Sequence, residues 1–501
     1  MRWGRFLLVF CLSLPLTADQ TAERIARVEN GLLSVEVPGQ PALRLSLAEW
    51  MKLLKVPGVS VAVFDDFKIV WSRAYGVREA GRPEPVTLGT LFQAGSISKP
   101  VAATATMYYV QRGKLSLDEN VNNKLVTWKV PDNEFTTKEK VTLRRIMSHS
   151  AGLTVHGFPG YAVDAPMPTM VQIFNGEKPA NTAAIRVDVV PGTIHRYAGG
   201  GTTVMQQLLV DVFHKPFPQL LRETVLGRIG MNDSTYEQPL PPARAALTAT
   251  GHRRDGQIVK GKWHIYPEMA AAGLWTTPID LAKYAIEIGK AWNGRSKLLS
   301  EQTARLMLTP QIERAALGFF TGEGNPRQFG HNGADEGFQA LLIAFADTGQ
   351  GAAIMANSDN GMRAMNLLAN SIAREYGWKY TAPRTSIGDV MLFLVETRGV
   401  DAAIAQYREL KRSRPDDYGF QEFQLNSVGY GLLQAKRLPE ALKILELNTE
   451  MFPDAANPWD SLAEAHMNFG HKDMAIKFYE KSLQLNPKND NAGKMLQKLR
   501  Q

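Results

Sequence analysis

Apolar residues alternate at Val59, Val61 and Val63, break at Asp65-Asp66, and resume from Lys68 to Tyr75. A period of two on either side of a polar turn predicts a β-hairpin. Between Pro100 and Gln111 the spacing becomes helical and stops at Gly113. Proline near the first turn and glycine just past the last are the ends a helix prefers. A mixed section rich in Gly and Pro follows. Further on, Gly337–Phe345 and Gly351–Asn357 read as two apolar strands around Asp347-Thr348-Gly349-Gln350, and Met362 to Tyr376 reads as a helix. Strands and helices at both ends of this stretch, with helices between, predict an α+β fold with an antiparallel sheet.

From about Ile387 glycine becomes scarcer and helical patterns dominate. Leu425, Gly429, Ala441 and Pro453 recur as Trp459, Ala463, Ala475 and Pro487, each 34 residues on. An earlier unit ends with Ala403, Tyr407, Leu410 and Pro415. One period shared by four positions indicates a repeat array, and the pattern resembles the tetratricopeptide repeat. The resemblance covers residues 384–489 in about three units, and Ala492–Gln501 reads as a solvating cap helix, so that 384–501 forms an all-α repeat domain. Trp459 and Tyr479 are expected in the repeat core. A repeat array offers a concave surface suited to peptides, so a protein or peptide partner is expected there.

The chain has 501 residues, 44% hydrophobic and 21% charged. That is globular composition with room for two or three domains, and it excludes disordered and fibrous classes. The net charge of +8 favours anionic surroundings, yet no basic run of five occurs, and no nucleic-acid partner is expected. Arg2 and Arg5, the apolar run Phe6–Leu16 and the small Ala18 read as a secretory leader over residues 1–18, with a mature start near Asp19. The apolar run falls short of the roughly 20 residues a membrane span needs, so no transmembrane anchor is expected. Export places the protein in the periplasm or outside the cell. Cleavage would remove the single cysteine, Cys11, and leave a charge of +6. Disulfide frameworks, cysteine-based zinc sites and thiol catalysis are thereby excluded. Neither a His-Glu-x-x-His pattern nor paired histidines at metal spacing occur, and no metal or other cofactor is expected.

The candidate chemistry is a serine beside a lysine. Ser96-Ile97-Ser98-Lys99 is the only S-x-x-K in the chain and stands immediately before the helix predicted from about Pro100. Spacing of i to i+3 puts both side chains on one helical face. A hydroxyl near its own high pKa is a poor nucleophile, and a lysine desolvated at a helix start can take its proton.

The surroundings extend this. Val56-Pro57-Gly58-Val59, Trp71–Gly76, Leu91–Gly95 before the serine and Gly113–Asp118 after it resemble the serine β-lactamase and penicillin-binding-protein family, in its class C, DD-peptidase and esterase branch. Downstream, in the family's order, come Leu143–Leu153 with Ser148-His149-Ser150-Ala151-Gly152-Leu153, then Pro191-Gly192-Thr193 followed by Tyr197. Ala270–Leu281 with Gly273-Leu274-Trp275 comes next, and last Phe329-Gly330-His331-Asn332-Gly333 in the H-x-G form. The resemblance covers residues 25–380. It implies a β-lactamase-like fold, an antiparallel sheet flanked by helices plus an all-helical region. It also implies Ser96 as acyl-accepting nucleophile, Lys99 as its proton acceptor or partner, and Tyr197 as the general base or acid that passes a proton to the leaving group. The amides of Ser96 and Ala334 would form the oxyanion hole, with His331 and Gly333 at the substrate. His331 stands where lysine is common. A histidine near neutrality pulls less on Tyr197, which shifts the base role towards Lys99 and predicts an acidic limb from protonation of His331.

One departure bears on substrate. Where the family's second motif reads Tyr-x-Asn, this chain has Tyr197-Ala198-Gly199, and Gly199 has no amide to read an acylamino group. The substrate is therefore expected to be a D-amino-acid peptide or an ester before a β-lactam. His149 is expected to be buried and structural, and Ser148–Gly152 fails as an α/β-hydrolase elbow because Ser148 replaces the first glycine. Two functions of different class follow: a serine hydrolase acting through an acyl-enzyme, or a catalytically weak fold that binds cell-wall peptide or protein partners through its repeats. Retention of both Ser96 and Lys99 favours the first.

Overall fold

The computed structural model describes residues 18–35, 43–324, 326–380 and 385–500. The leader read over residues 1–18 lies outside them, Ala18 excepted. Strand β1 (Gly58–Asp65) and strand β2 (Lys68–Gly76) form the hairpin, and β3 (Phe320–Thr321), β4 (Gln328–Asp335), β5 (Phe338–Phe345) and β6 (Gln350–Ala356) complete one antiparallel sheet in the order β2-β1-β6-β5-β4-β3. The first and last strands of the domain are neighbours, with Val61 opposite Ile354.

The alternation at Val59, Val61 and Val63 suggested a strand with one buried face, but Ser60, Ala62 and Phe64 are buried as well. The reason is that helices cover both sides of the sheet. Helix α1 (Ala18–Asn30), α2 (Leu47–Leu53) and the later helix Gly361–Glu375 take the face with the three valines, Leu341 and Ile343. The opposite face, with Ala62, Phe64, Leu342 and Ala353, packs on the larger helical layer. That layer contains α3 (Ser98–Val110), α4 (Gly199–Phe213), α5 (Met269–Ala272) and α6 (Pro278–Trp292). Helix α6 starts as its sequence dictates: Thr277 caps the Asp280 amide at 3.2 Å and Pro278 fills the first position.

Helix α7 (Gly361–Glu375) leads to three helix pairs, α8 (Ile387–Arg398) with α9 (Val400–Ser413), α10 (Glu422–Gln434) with α11 (Leu438–Met451), and α12 (Ala456–Asn468) with α13 (Lys472–Leu485), and then to α14 (Asp490–Arg500). The small and apolar period-34 positions lie within the helix pairs, and Pro453 and Pro487 follow the second helix of their pairs. A Cβ on Gly429 would stand 2.6 Å from Leu445, which is how close α10 and α11 approach, while Ala441, Ala463, Ala475 and Tyr479 are buried. Trp459 is only half-buried, its indole N–H donating to the Pro453 carbonyl at 2.9 Å. Val390, Leu394, Tyr407, Leu425 and Leu432 share one apolar core with Trp50, Val61 and Leu368. The first two helix pairs are thus packed on the sheet side of the molecule, and the last pair with α14 has its own small core around Ala475, Tyr479 and Leu496.

Candidate active site

The helix carrying the candidate nucleophile begins earlier than its proline suggested. A 3-10 turn over Gly95–Ile97 runs into α3 at Ser98, so Ser96 sits in the turn and Lys99 in the first turn of the helix. The turn is tied down on both sides. Ser98 Oγ donates to the Gly95 carbonyl at 2.6 Å and accepts from the Leu274 amide at 3.0 Å, and the Tyr236 hydroxyl donates to the Ser98 carbonyl at 2.8 Å.

Strand β4 comes up against this turn with no room for side chains. Gly95 has φ +50°, and a Cβ there would lie 2.5 Å from the Ala334 amide nitrogen. A Cβ on Gly333 would lie 1.9 Å from the Ala94 carbonyl oxygen and 3.0 Å from the Ser96 nitrogen. Two glycines therefore allow the backbones to touch, and the amides of Ser96 and Ala334 lie across that contact from one another. Because β3 pairs with β4 only at Phe329 and Gly330, the β4 edge beyond His331 has no neighbouring strand, as a site that admits a substrate chain requires.

Lys99 is 4% exposed, while Ser96 remains half-buried. Lys99 Nζ donates to Ser96 Oγ at 2.9 Å and to the Ala271 carbonyl on α5 at 2.8 Å, and lies 5.0 Å from the centre of the Tyr197 ring. A carbonyl, a hydroxyl and a π face are what a buried amine needs in place of water. The Ala271 carbonyl could not be read from the sequence, because α5 lies 172 residues from Lys99.

Tyr197 is held by a segment it meets only in three dimensions. The Arg196 amide donates to the His149 carbonyl at 2.7 Å, the Ala198 amide donates to His149 Nδ1 at 3.2 Å, and the His149 ring lies 4.2 Å from the Tyr197 ring. His149 is buried, as expected, but its bonds bracket Tyr197 from both sides, which makes it a positioning residue for the phenol. His156 at 4.9 Å, Phe320 at 6.2 Å and His331 at 6.1 Å complete an aromatic surround. Nothing in the sequence singled out Phe320; it comes from the short edge strand β3.

His331 lies on the buried face of β4, its Nδ1 2.5 Å from the Asn332 carbonyl and its Nε2 buried without a partner among the described residues. Burial, with Lys99 close by, lowers its pKa to about 3. It is neutral throughout the neutral range, as read from sequence, but the acidic limb expected from its protonation moves down to around pH 3.

Two further acids lie beside this site. Asp335 ends β4, with both carboxylate oxygens buried and unpartnered, and Glu268 caps α5, with Oε2 likewise unpartnered. Burial raises Asp335 well above the usual carboxylate range and Glu268 to about 7. For Glu268 the folded value exceeds the unfolded one, so its contribution is lost as pH rises from about 4.5 through 7. Glu268→Gln should therefore gain stability over wild type by roughly 3 kcal/mol between pH 4 and pH 8. Denaturant melts at the two pH values measure this, and an equal difference at both would refute the assignment.

Gly199 starts α4, its amide donating to the His156 carbonyl at 3.0 Å. A Cβ there would meet that carbonyl oxygen at 3.1 Å and Phe158 at 3.2 Å. The amide-bearing side chain is absent, and the space for it is filled. The segment Gly256-x4-Gly261-Lys262 has the glycine and lysine spacing of a phosphate loop but is not one. Trp263 replaces the required Ser/Thr, no helix follows, and Lys262 pairs with Glu79 at 2.9 Å. Among the described residues no cluster of three or more metal-ligating side chains is in place to hold an ion, and no helix is long and apolar enough to cross a membrane.

The Beta-lactamase family model matches residues 47–375, from before the hairpin to the end of α7. The chain belongs to this family. A tetratricopeptide-repeat model matches residues 456–489, the α12–α13 unit; the two earlier helix pairs lie outside that match. A Beta-lactamase of Pseudomonas fluorescens is 26% identical over 237 residues, 47% of this chain and 60% of that protein. Penicillin-binding protein 4 of Amycolatopsis lactamdurans is 25% identical over 325 residues, 60% of this chain and 81% of the relative. Among solved structures, the octameric penicillin-binding protein homologue from Pyrococcus abyssi superposes with a TM-score of 0.53 at 23% identity, covering 66% of this chain and 76% of that one. The part of the chain before the repeats thus has a β-lactamase-like fold, and a tetratricopeptide repeat lies C-terminal to it.

Proposed function

We propose that this protein is an exported serine hydrolase that forms an acyl-enzyme on Ser96, with Lys99 as proton acceptor. The observation that carries the reading is the 2.9 Å hydrogen bond between Lys99 Nζ and Ser96 Oγ, made by a buried lysine to a serine that substrate can reach. In this mechanism a carbonyl enters along the free edge of β4, with its oxygen at the amides of Ser96 and Ala334, which stabilise the tetrahedral oxyanion. Lys99 takes the Oγ proton as the bond to carbon forms. Tyr197, held by His149, returns a proton to the leaving amine or alcohol, and water then releases the acyl group.

The substrate class we infer is a D-amino-acid peptide or an ester rather than a β-lactam, because the position of the amide-reading side chain is Gly199 and its space is taken by His156 and Phe158. The leader of residues 1–18 would send the enzyme to the periplasm or the medium, and the repeats would bind a protein or peptide partner. The test is intact-mass spectrometry after exposure to a fluorophosphonate, a penicillin, a simple ester and a D-amino-acid peptide. Wild type should gain one acyl or phosphonyl adduct that Ser96→Ala does not. No adduct with any probe, or an adduct surviving in Ser96→Ala, would reject the reading.

A further inference from the structure

A further cleft lies away from Ser96. It is a cavity of about 1280 Å³ between the hydrolase domain and the first two repeats. Its walls are α2 and the loop at Arg254-Asp255 on one side, and α8 and α10, the leading helices of their pairs, on the other. The hydrolase domain therefore closes one side of the repeat groove. At this size it exceeds the roughly 300–1,000 Å³ of small-molecule pockets.

Charge across the lining is nearly balanced, but the acids are already engaged and several cations are not. Glu49 accepts the Ser46 amide and hydroxyl in the cap of α2, Asp255 accepts the Gln257 amide at 2.9 Å, Asp359 accepts the Gly337 amide at 2.8 Å, and Glu396 pairs with Arg437. Against these, Lys52 and Arg254 are exposed and have no ion pair or side-chain hydrogen bond among the described residues, and Lys55 reaches only the Asp255 carbonyl at 3.2 Å. All three come from the hydrolase domain. The repeat wall supplies different chemistry. Phe423 is 55% exposed, a Cβ on Gly431 would meet nothing, and Asn426 Oδ1 is buried with no partner. The repeat wall thus presents an exposed aromatic ring in the same cleft as the three cations.

We infer that this cleft binds a peptide segment of a partner protein that carries carboxylates, which meet Lys52, Lys55 and Arg254, and an apolar side chain that covers Phe423. The inference gives chemistry to the partner-binding role proposed for the repeats and does not depend on the reaction at Ser96. Charge-assisted bonds from unpaired cations supply affinity and orientation, and the aromatic contact supplies buried area.

The experiment is fluorescence anisotropy on full-length Ser96→Ala, which keeps the cleft and lacks the nucleophile, so failure of the hydrolase reading leaves its outcome unaffected. The probe is a labelled octapeptide with three acidic residues, one phenylalanine and a free carboxyl terminus. Its Asn/Gln analogue and its C-terminally amidated form separate side-chain from terminal carboxylates. The acidic peptide should bind, with at least tenfold loss in Lys52→Glu/Arg254→Glu and a further loss in Phe423→Ala. All three positions are exposed, so circular dichroism melts should be unchanged and loss of fold would not mimic the result. Loss with the Asn/Gln analogue assigns the side-chain carboxylates, and loss with the amide assigns the terminus. Equal binding of all three peptides, binding unaffected by the double charge reversal, or no binding at millimolar peptide would overturn the inference.

Discussion

Lys99→Met should slow acylation of Ser96 by about 10³-fold, within the 10²–10⁴ range for removing a positioned proton acceptor. Lys99 Nζ is the only side-chain group bonded to Ser96 Oγ among the described residues. Methionine fills the same buried space without an amine, leaving a serine whose proton has no acceptor. The fold should tolerate the change. The Ala271 carbonyl loses its donor, a cost of about 1–3 kcal/mol, but a buried amine is removed at the same time. Stopped-flow acylation by an activated ester measures the effect, with thermal melts as the control. Wild-type acylation in Lys99→Met would assign the proton transfer elsewhere.

Gly333→Ala should also slow acylation, by less than Lys99→Met and through a different cause. The added methyl would stand 1.9 Å from the Ala94 carbonyl oxygen and 2.9 Å from its carbon, where non-bonded carbon atoms prefer about 3.5–4.0 Å. The clashing atoms are backbone, Gly333 on a strand paired with β5 and Ala94 in the turn bonded to Leu274. Either β4 or the nucleophile turn must move by an ångström or more. Displacement on that scale separates the Ser96 and Ala334 amides and costs about 10²-fold in rate, together with about 2–3 kcal/mol of stability from overpacking. Gly89→Ala is the matched control, since a Cβ there meets nothing within 4 Å. Equal acylation rates in the two variants would show that the close approach of β4 is unimportant.

The two substitutions test features that differed in how far they could be read. Lys99 was legible because a helical turn converts spacing along the chain into adjacency, and i to i+3 became a 2.9 Å bond once the turn formed. The glycines were legible as letters of a motif, while the reason for them, backbone against backbone, needed β4 beside the 3-10 turn. His149 was read as a buried structural histidine; its burial is correct, but its place against Tyr197 depends on a loop that returns 49 residues later to the Ala198 amide. His331 was read as neutral for the ordinary reason that imidazole is nearly neutral at pH 7. Burial beside Lys99 is what lowers it to about 3, and burial is a property of everything packed around it.

By itself the sequence determined the periodic and local features. These are the hairpin at Val59–Tyr75, the 34-residue repeat, and a serine and lysine one helical turn apart, all set by backbone geometry acting over a few residues. The tertiary structure alone decided which distant groups share the site, namely the Ala271 carbonyl at Lys99, Phe320 and His149 around Tyr197, and the buried acids Asp335 and Glu268. It also decided that Lys52 and Arg254 line one cleft together with Phe423. Desolvation and close contact are set by whatever lies nearest in space, and in this fold those neighbours come from segments tens to hundreds of residues apart.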